Sequence, residues 1–79
     1  MVHIGKLIEE ELRRQGRSVS WFAGKLYCDR TNVYSIFRRK SIDTDLLIRI
    51  SRILDYNFFN CYRSELDEEN SASEANTPE

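Results

Sequence analysis

The sequence predicts an all-α protein, a compact bundle of about five short helices. Apolar residues recur at intervals of three and four along most of the chain, and the alternation of apolar and polar residues that is typical of strands is missing. The single proline is at position 78, so no proline interrupts the helical patterns. With 79 residues, the chain has room for one small domain.

The first two helices follow from their apolar spacing and from the residues that bound them. The first is predicted from residue 4 to about residue 15, and Gly16 ends it. Ser18 is placed to cap a short second helix. The apolar faces are Ile4, Leu7, Ile8 and Leu12 in the first helix and Val19, Phe22, Ala23 and Leu26 in the second.

The third and fourth helices begin at side chains that accept hydrogen bonds from backbone N–H groups. The apolar pattern breaks at residues 27 and 28, and Asp29 is placed to cap a third helix that runs to about residue 38 or 39. Asp43 or Thr44 begins a fourth helix. Its apolar stripe comprises Leu46, Leu47, Ile50, Ile53 and Leu54.

The C-terminal part of the chain divides into a short helix and an acidic segment. Asn57 is the predicted cap of a fifth helix from Phe58 to about Arg63. From residue 64 the composition changes to small, polar and acidic residues, which bury too little apolar surface to offset the entropy cost of ordering. We therefore expect a folded domain at residues 1–63 and an acidic disordered tail at residues 64–79.

The formal net charge of −1 hides a separation of charge along the chain. Residues 1–63 carry twelve basic and seven acidic residues, a net charge of +5, and residues 64–79 carry six acidic residues and no basic one, a net charge of −6. One hypothesis is that the tail competes with phosphates for the basic domain. The alternative is that it only improves solubility.

Several classes of protein have no support in the sequence. No paired carboxylates, nucleophile–base pair or phosphate-binding loop stands out, so we do not expect an enzyme. Cys28 and Cys61 match neither a C-x-x-C motif nor a zinc site, and we expect no metal and no cofactor. The chain has no run of about twenty apolar residues and no signal-peptide pattern, so we expect no membrane contact and a cytoplasmic location.

The strongest functional signal lies between Ser18 and Lys40, where two short helices are joined by a short turn. One side of the third helix is polar, and three consecutive cations follow at its end. An α-helix fits the major groove of DNA, where such side chains reach base edges while flanking cations neutralise phosphates. The polar side comprises Arg30, Thr31, Tyr34, Ser35 and Arg38, and the cationic run is Arg38-Arg39-Lys40.

This segment resembles the helix-turn-helix of phage-repressor-type regulators, the Cro/repressor (XRE) family. The resemblance rests on the stretch S-V-S-W-F-A-G-K-L-Y-C-D-R-T-N-V-Y-S-I-F-R-R, with Ala23 at the small-residue position of the motif. The later stretch L-L-I-R-I-S-R-I-L resembles the fourth helix of the family, so the likeness covers roughly residues 4–62. This chain departs from the family at Tyr27 and Arg39, where glycine is usual.

The resemblance implies a lambda-repressor-like DNA-binding domain that places residues 29–39 in the major groove. Arg30 and Thr31 match base-contacting positions of the family, and Ser35 matches a further groove-facing position. Tyr34 is added from the helical wheel, and Asn32 lies at the edge of the same face. The expected base contacts are Arg30, Thr31, Asn32, Tyr34 and Ser35, and the expected phosphate contacts are Ser18, Ser20, Arg38, Arg39 and Lys40.

Apolar side chains are in surplus at the C-terminal end of the predicted bundle, which indicates contact with a second copy or with another protein. The candidate contact residues are Ile48, Phe58, Phe59 and Tyr62. The alternative is that the aromatic residues only close the bundle. Trp21 lies off the apolar face of the second helix, and it either packs against the C-terminal helix or lies in an interface.

The sequence therefore predicts a non-enzymatic protein that binds double-stranded DNA sequence-specifically, a transcriptional regulator (repressor) that acts as a homodimer on a two-fold related site. The alternative is a protein-interaction adaptor, or an antitoxin-like or phage accessory protein, that uses the same fold to bind a protein partner.

Overall fold

The computed structural model describes the backbone of residues 1–70 and the side chains of residues 1–66. It is an all-α bundle, as predicted, and residues 1–70 contain no strand. The part of the predicted tail from 71 to 79 lies outside the described residues. The helices are α1 (Ile4–Arg14), α2 (Val19–Leu26), α3 (Arg30–Phe37), α4 (Thr44–Leu54) and α5 (Asn60–Asn70).

Each of the first four helices begins at a side chain that accepts a backbone hydrogen bond. Three of the four predicted caps are confirmed: Ser18, Asp29 and Asp43 accept from the N–H group three residues ahead, at 3.0, 3.0 and 2.8 Å. The fourth, Asn57, does not cap α5: its Oδ1 accepts from the N–H of Phe59 at 3.0 Å, in the turn that precedes the helix. The cap of α1 is His3, whose Nδ1 accepts from the N–H of Lys6 at 3.3 Å. Histidine is not among the usual capping residues, so the sequence does not indicate this role.

The core comprises side chains from the first four helices together with Phe58, which precedes α5. Burial of a large apolar side chain is worth about 1.5–3 kcal/mol, so this cluster fixes how the four helices pack. Its members are Ile4, Ile8 and Leu12 in α1, Phe22, Ala23 and Leu26 in α2, Val33, Ile36 and Phe37 in α3, and Leu47, Ile50 and Leu54 in α4, with Phe58. The apolar faces predicted for α1, α2 and α4 therefore point inward, although Leu7 of α1 is half-buried and is not part of this cluster.

Phe58 was expected to contact a partner, and the structure contradicts this expectation. Its side chain is fully buried, and its ring packs edge-on against Tyr56 with 4.7 Å between the ring centroids. It closes the bundle and presents no surface to another molecule.

Helix α5 begins at Asn60, two residues after the predicted start at Phe58, and continues to Asn70, well past the predicted end near residue 63. Residues 64–70 are therefore helical, in contrast to the disorder expected for this part of the acidic tail. The segment from 60 to 70 contains no glycine or proline, and extending an existing helix costs far less than starting one. Glu65 also lies 3.5 Å from the N-terminal ammonium group.

The start of α1 is joined to the end of α3 by backbone hydrogen bonds. The N–H of Ile4 donates to the carbonyl of Lys40 at 3.2 Å, and the N–H of Gly5 donates to the carbonyl of Arg39 at 2.9 Å. The first N–H groups of a helix have no partner within it, so these bonds satisfy donors of α1 with acceptors that follow α3.

Gly5 is the residue that permits this approach. A Cβ atom at this position would lie 2.4 Å from the carbonyl oxygens of both Ile36 and Phe37, closer than real Cβ contacts allow. The obstructing atoms belong to the backbone of α3, which cannot rotate away as a side chain would. Any larger residue therefore has to separate α1 from α3.

A buried carboxylate, Glu11, holds the side chain of Gln15, and Gln15 joins the end of α1 to the end of α4. Glu11 is 7% exposed and accepts hydrogen bonds from Arg14 Nε at 2.9 Å and from Gln15 Nε2 at 2.7 Å. Gln15 Nε2 also donates to the carbonyl of Leu54 at 2.7 Å. The hydrogen bond from Arg14 lowers the pKa of Glu11, an effect that burial of the carboxylate opposes and the bond from Gln15 supports.

Gly5→Ala is expected to lower the free energy of unfolding by about 1–3 kcal/mol, because the added methyl group overlaps backbone atoms of α3. Urea denaturation measures the change. Gly24→Ala is the matched control: Gly24 lies within α2 with nothing within 4 Å of an added Cβ, so this variant is expected to gain about 0.8–1 kcal/mol from helix propensity. Equal effects of the two substitutions would contradict the close contact.

Glu11→Gln is expected to lower the free energy of unfolding at neutral pH by about 1 kcal/mol, because the neutral amide forms no ion pair with the Arg14 guanidinium and has one acceptor oxygen in place of two. The folded-state pKa of Glu11 is depressed, so its contribution is complete above the ordinary glutamate pKa of about 4.3 and is lost as the pH falls through the lower folded-state value. Thermal unfolding from pH 7 to pH 2 should show the variant and the parent converging in acid. Glu10→Gln, on the exposed side of the same helix, is the control; a Glu11→Gln deficit that stays constant with pH would exclude this account.

Candidate nucleic-acid interface

Helices α2 and α3 form one packed unit joined by residues 27–29. Three buried side chains of α2 pack in the same core as three of α3, so the opposite side of α3 faces outward. Arg49 of α4 donates from its guanidinium to the carbonyl of Leu26 at 3.2 Å, which attaches the end of α2 to the rest of the bundle. The outward side of α3 is therefore carried on a well-supported element.

The turn between the two helices requires a left-handed residue, and that residue is Tyr27. Its φ and ψ are 58° and 43°, and its N–H and that of Cys28 donate to the carbonyls of Gly24 and Ala23 at 3.2 and 3.0 Å. This pair of bonds is the Schellman motif, in which glycine is the usual left-handed residue. A non-glycine residue thus completes the Schellman motif at this position, at a cost in backbone strain.

The strain at Tyr27 is not offset by packing, since its side chain is 91% exposed. Asp55, after α4, is the other non-glycine residue with positive φ among the described residues. After α1, the residue with positive φ is a glycine, Gly16, with a φ of 72°. Tyr27 therefore stands out as a large aromatic residue held in a strained conformation with its ring in solvent.

Arg39, the second departure from the family pattern, needs no glycine. Helix α3 ends in a tight turn, in which the N–H groups of Arg38 and Arg39 donate to the carbonyls of Ser35 and Ile36 at 3.1 and 3.0 Å. The φ of Arg39 is not positive. A side chain is therefore accommodated at this position without strain.

The predicted base-contacting residues lie together on the outward side of α3. Arg30, Thr31 and Asn32 are exposed in its first turn, Tyr34 is 49% exposed, and Ser35 is half-buried. The Tyr34 ring packs edge-on against Phe37, with 6.1 Å between the ring centroids, which restricts its orientation. We define this outward side, residues 30, 31, 32, 34 and 35, as the α3 face.

The cationic run at residues 38–40 follows the α3 face directly, and all three side chains are exposed. Among the residues whose side chains are described, no carboxylate lies within 4 Å of Arg30 or of these three cations. The positive charges are therefore available to an anionic ligand. Ser18 and Ser20 are exposed at the start of α2, and Ser18 Oγ accepts from the Trp21 N–H, which leaves its own O–H to donate.

Trp21 is half-buried against the core and lies under two cations. The Arg17 guanidinium carbon is 4.4 Å from the ring centroid, and the Lys25 ammonium is 5.7 Å from it. Such cation–π contacts keep the charges at the surface beside the ring. Sequence reasoning did not single out Arg17 and Lys25, although their spacing of four residues on either side of the tryptophan carries the signal.

Three of the four residues that were predicted to contact a partner lie at the surface. Ile48 and Phe59 are 39% and 38% exposed and line one shallow groove together with Tyr56. Phe59 also borders a second groove with Ile42 and the half-buried Tyr62. The structure therefore brings Ile48, Phe59 and Tyr62 onto adjoining surface, whereas the fourth member is in the core.

Other kinds of site are not found in the described part of the chain. No group of three or more histidine, cysteine or acidic side chains is placed to hold a metal ion, and no helix is both long enough and apolar enough to cross a membrane. Cys28 and Cys61 are free thiols, and burial raises the pKa of Cys61, which disfavours its reactive thiolate.

Comparisons of the chain with models of protein families, with curated proteins and with solved structures gave no match.

Tyr27→Gly is expected to raise the free energy of unfolding by about 0.5–1 kcal/mol, because glycine adopts the left-handed conformation without the Cβ penalty. The increase in stability is smaller than the strain energy that is relieved, because glycine also raises the conformational entropy of the unfolded chain. Thermal denaturation measures it. The control is Tyr27→Ala, which removes the ring but keeps Cβ and should lie within about 0.5 kcal/mol of the parent. A glycine variant that is no more stable than Tyr27→Ala would contradict the strain at this position.

Proposed function

We propose that this protein is a sequence-specific double-stranded DNA-binding protein of the helix-turn-helix type, a transcriptional regulator whose α3 enters the major groove. The observation that carries the proposal is the α3 face: hydrogen-bonding side chains on the outward side of a supported helix, followed by three exposed cations with no carboxylate partner among the described side chains. An α-helix of this kind has the dimensions that the major groove admits.

Side-chain chemistry indicates which residues contact bases and which contact phosphates. Arg30 begins α3, and an arginine can donate two parallel hydrogen bonds to the O6 and N7 atoms of guanine. Thr31, Asn32, Tyr34 and Ser35 supply shorter or weaker base contacts from the same face. Arg38, Arg39 and Lys40, with the hydroxyls of Ser18 and Ser20, bind phosphates and so position the helix without reading sequence.

The protein is proposed to bind DNA as a homodimer on a two-fold related site. The surplus apolar surface at Ile48, Phe59 and Tyr62 supports a contact between copies, since exposed large apolar groups in adjoining grooves often mark interfaces. Two α3 helices would then read half-sites about 34 Å apart, one turn of the duplex.

A second candidate function, a protein-interaction adaptor, is favoured by the same apolar surface. An adaptor would bind another protein through Ile48, Phe59 and Tyr62 and would not need the α3 face. Selection of duplexes from a random pool at about 150 mM salt separates the two functions, because non-specific binding is weak under this condition. Enrichment of a short inverted repeat supports the DNA-binding dimer; a folded protein that enriches no sequence favours the adaptor.

Arg30→Ala is expected to weaken binding to the selected duplex by about 1–3 kcal/mol and to relax preference at one base pair, because the bidentate contact with guanine is lost. Arg39→Ala should instead weaken binding to all sequences alike. Fluorescence anisotropy on the selected duplex, and on duplexes changed at one base pair at a time, gives both quantities.

The salt dependence of the same measurements provides the control. If about four to six phosphates are neutralised per dimer, the logarithm of the affinity should fall with the logarithm of the salt concentration with a slope of about −4 to −5. Arg39→Ala should make this slope less steep. The assignment of Arg30 to base reading is wrong if Arg30→Ala weakens binding to every duplex equally.

A further inference from the structure

A third groove, separate from the two apolar grooves around Phe59, runs beside the α3 face, between the first turns of α1 and the second half of α3. It is lined by His3, Lys6 and Glu9 from the α1 side and by Tyr34, Phe37 and Arg38 from the α3 side. Two of these residues, Tyr34 and Arg38, already belong to the proposed interface, whereas His3 and Lys6 were not assigned to any site. The backbone bonds from Ile4 and Gly5 to residues 40 and 39 fix the two walls relative to each other.

The polar groups that border the groove are mostly hydrogen-bond donors. Lys6 is exposed, and neither its ammonium nor the Arg38 guanidinium has a carboxylate within 4 Å among the described side chains. His3 adds a further donor because of the hydrogen bond by which it caps α1. Because Nδ1 accepts from the Lys6 N–H, that nitrogen carries no proton, and the neutral ring must hold its proton on Nε2. The cap of α1 thus leaves an N–H that another group can use.

Glu9 is the acidic residue that borders the groove, and its carboxylate is already paired. Oε2 of Glu9 accepts from the Arg13 guanidinium at 2.7 Å, one turn further along α1. The negative charge of Glu9 is therefore neutralised by Arg13. The remaining charge of the groove is positive.

We propose that this groove is a further phosphate-binding site, which takes a backbone phosphate of the duplex that α3 reads, with Lys6, Arg38 and the Nε2–H of His3 as donors. The inference rests on the proposed function, because a helix in the major groove has a phosphate backbone on each flank and the groove flanks α3 on its α1 side. The first turn of α1 then contributes to affinity but not to the choice of sequence.

The test compares Lys6→Gln with Lys25→Gln in the full chain. Both variants remove one exposed lysine charge, but Lys25 lies over Trp21 and does not border the groove. Binding to the selected duplex and to a random-sequence duplex is measured by fluorescence anisotropy over a series of salt concentrations. Lys6→Gln should lower affinity for both duplexes by the same several-fold factor and make the salt slope less steep by about one for each protomer bound.

Two further variants separate charge from structure. Lys6→Arg keeps the charge and should keep the parental salt slope. His3→Asn keeps a capping side chain for α1 but removes the ring N–H, so it should keep the thermal stability, lower affinity a few-fold and leave the salt slope unchanged. Retained stability shows that any loss of affinity does not come from unfolding of α1.

The possible outcomes distinguish failure of this phosphate site from failure of the proposed DNA-binding function. If the parent binds a selected duplex and Arg30→Ala alters base preference, but Lys6→Gln keeps the parental slope or matches Lys25→Gln, then α3 reads DNA and the groove does not bind phosphate. If the parent binds no duplex at low salt, the proposed function and the groove site fail together. A reduced slope for Lys6→Gln alone, with Lys6→Arg unchanged, establishes the site.

Discussion

The close approach of α1 to α3 is the constraint on which the arrangement of the surface depends. Gly5 lets the backbone of α1 lie against the last carbonyls of α3, and two backbone hydrogen bonds then join the start of one helix to the residues that follow the other. These bonds satisfy groups that a helix cannot pair internally. They also fix where the chain leaves α3, and so they place residues 38–40 beside α1.

The other end of α3 is held by a different set of contacts. The Schellman motif at Tyr27 and the hydrogen bond from Arg49 to Leu26 define the path from α2 into α3, and the Asp29 cap starts the helix. Helix α3 is thus fixed at both ends by main-chain and cap hydrogen bonds, and along its length by three buried side chains. Its outward side chains contribute little to this framework, which leaves them free to serve binding.

Side-chain chemistry explains which parts of the fold and the site the sequence could predict. Ser18, Asp29 and Asp43 cap helices because their oxygens reach a nearby N–H, a local property that the sequence displays. The place of Phe58 is not local: it precedes α5 in a turn, where no helical spacing indicates a face, and packing against the bundle decides that it is buried. The continuation of α5 to Asn70 was missed because an acidic composition dominated the prediction, although the segment lacks helix-breaking residues.

The sequence by itself determined the helical class, the apolar faces of α1, α2 and α4, the caps of α2, α3 and α4, and the cationic run after α3. These features depend on residues within one turn of each other, so the spacing of residue types is enough to reveal them. The tertiary structure alone decided the role of Gly5, the left-handed conformation of Tyr27 and the groove that joins His3 and Lys6 to Arg38. Gly5 and the groove arise where segments more than thirty residues apart meet, and the conformation of Tyr27 arises where the path from α2 to α3 is set by packing; no local pattern records such contacts.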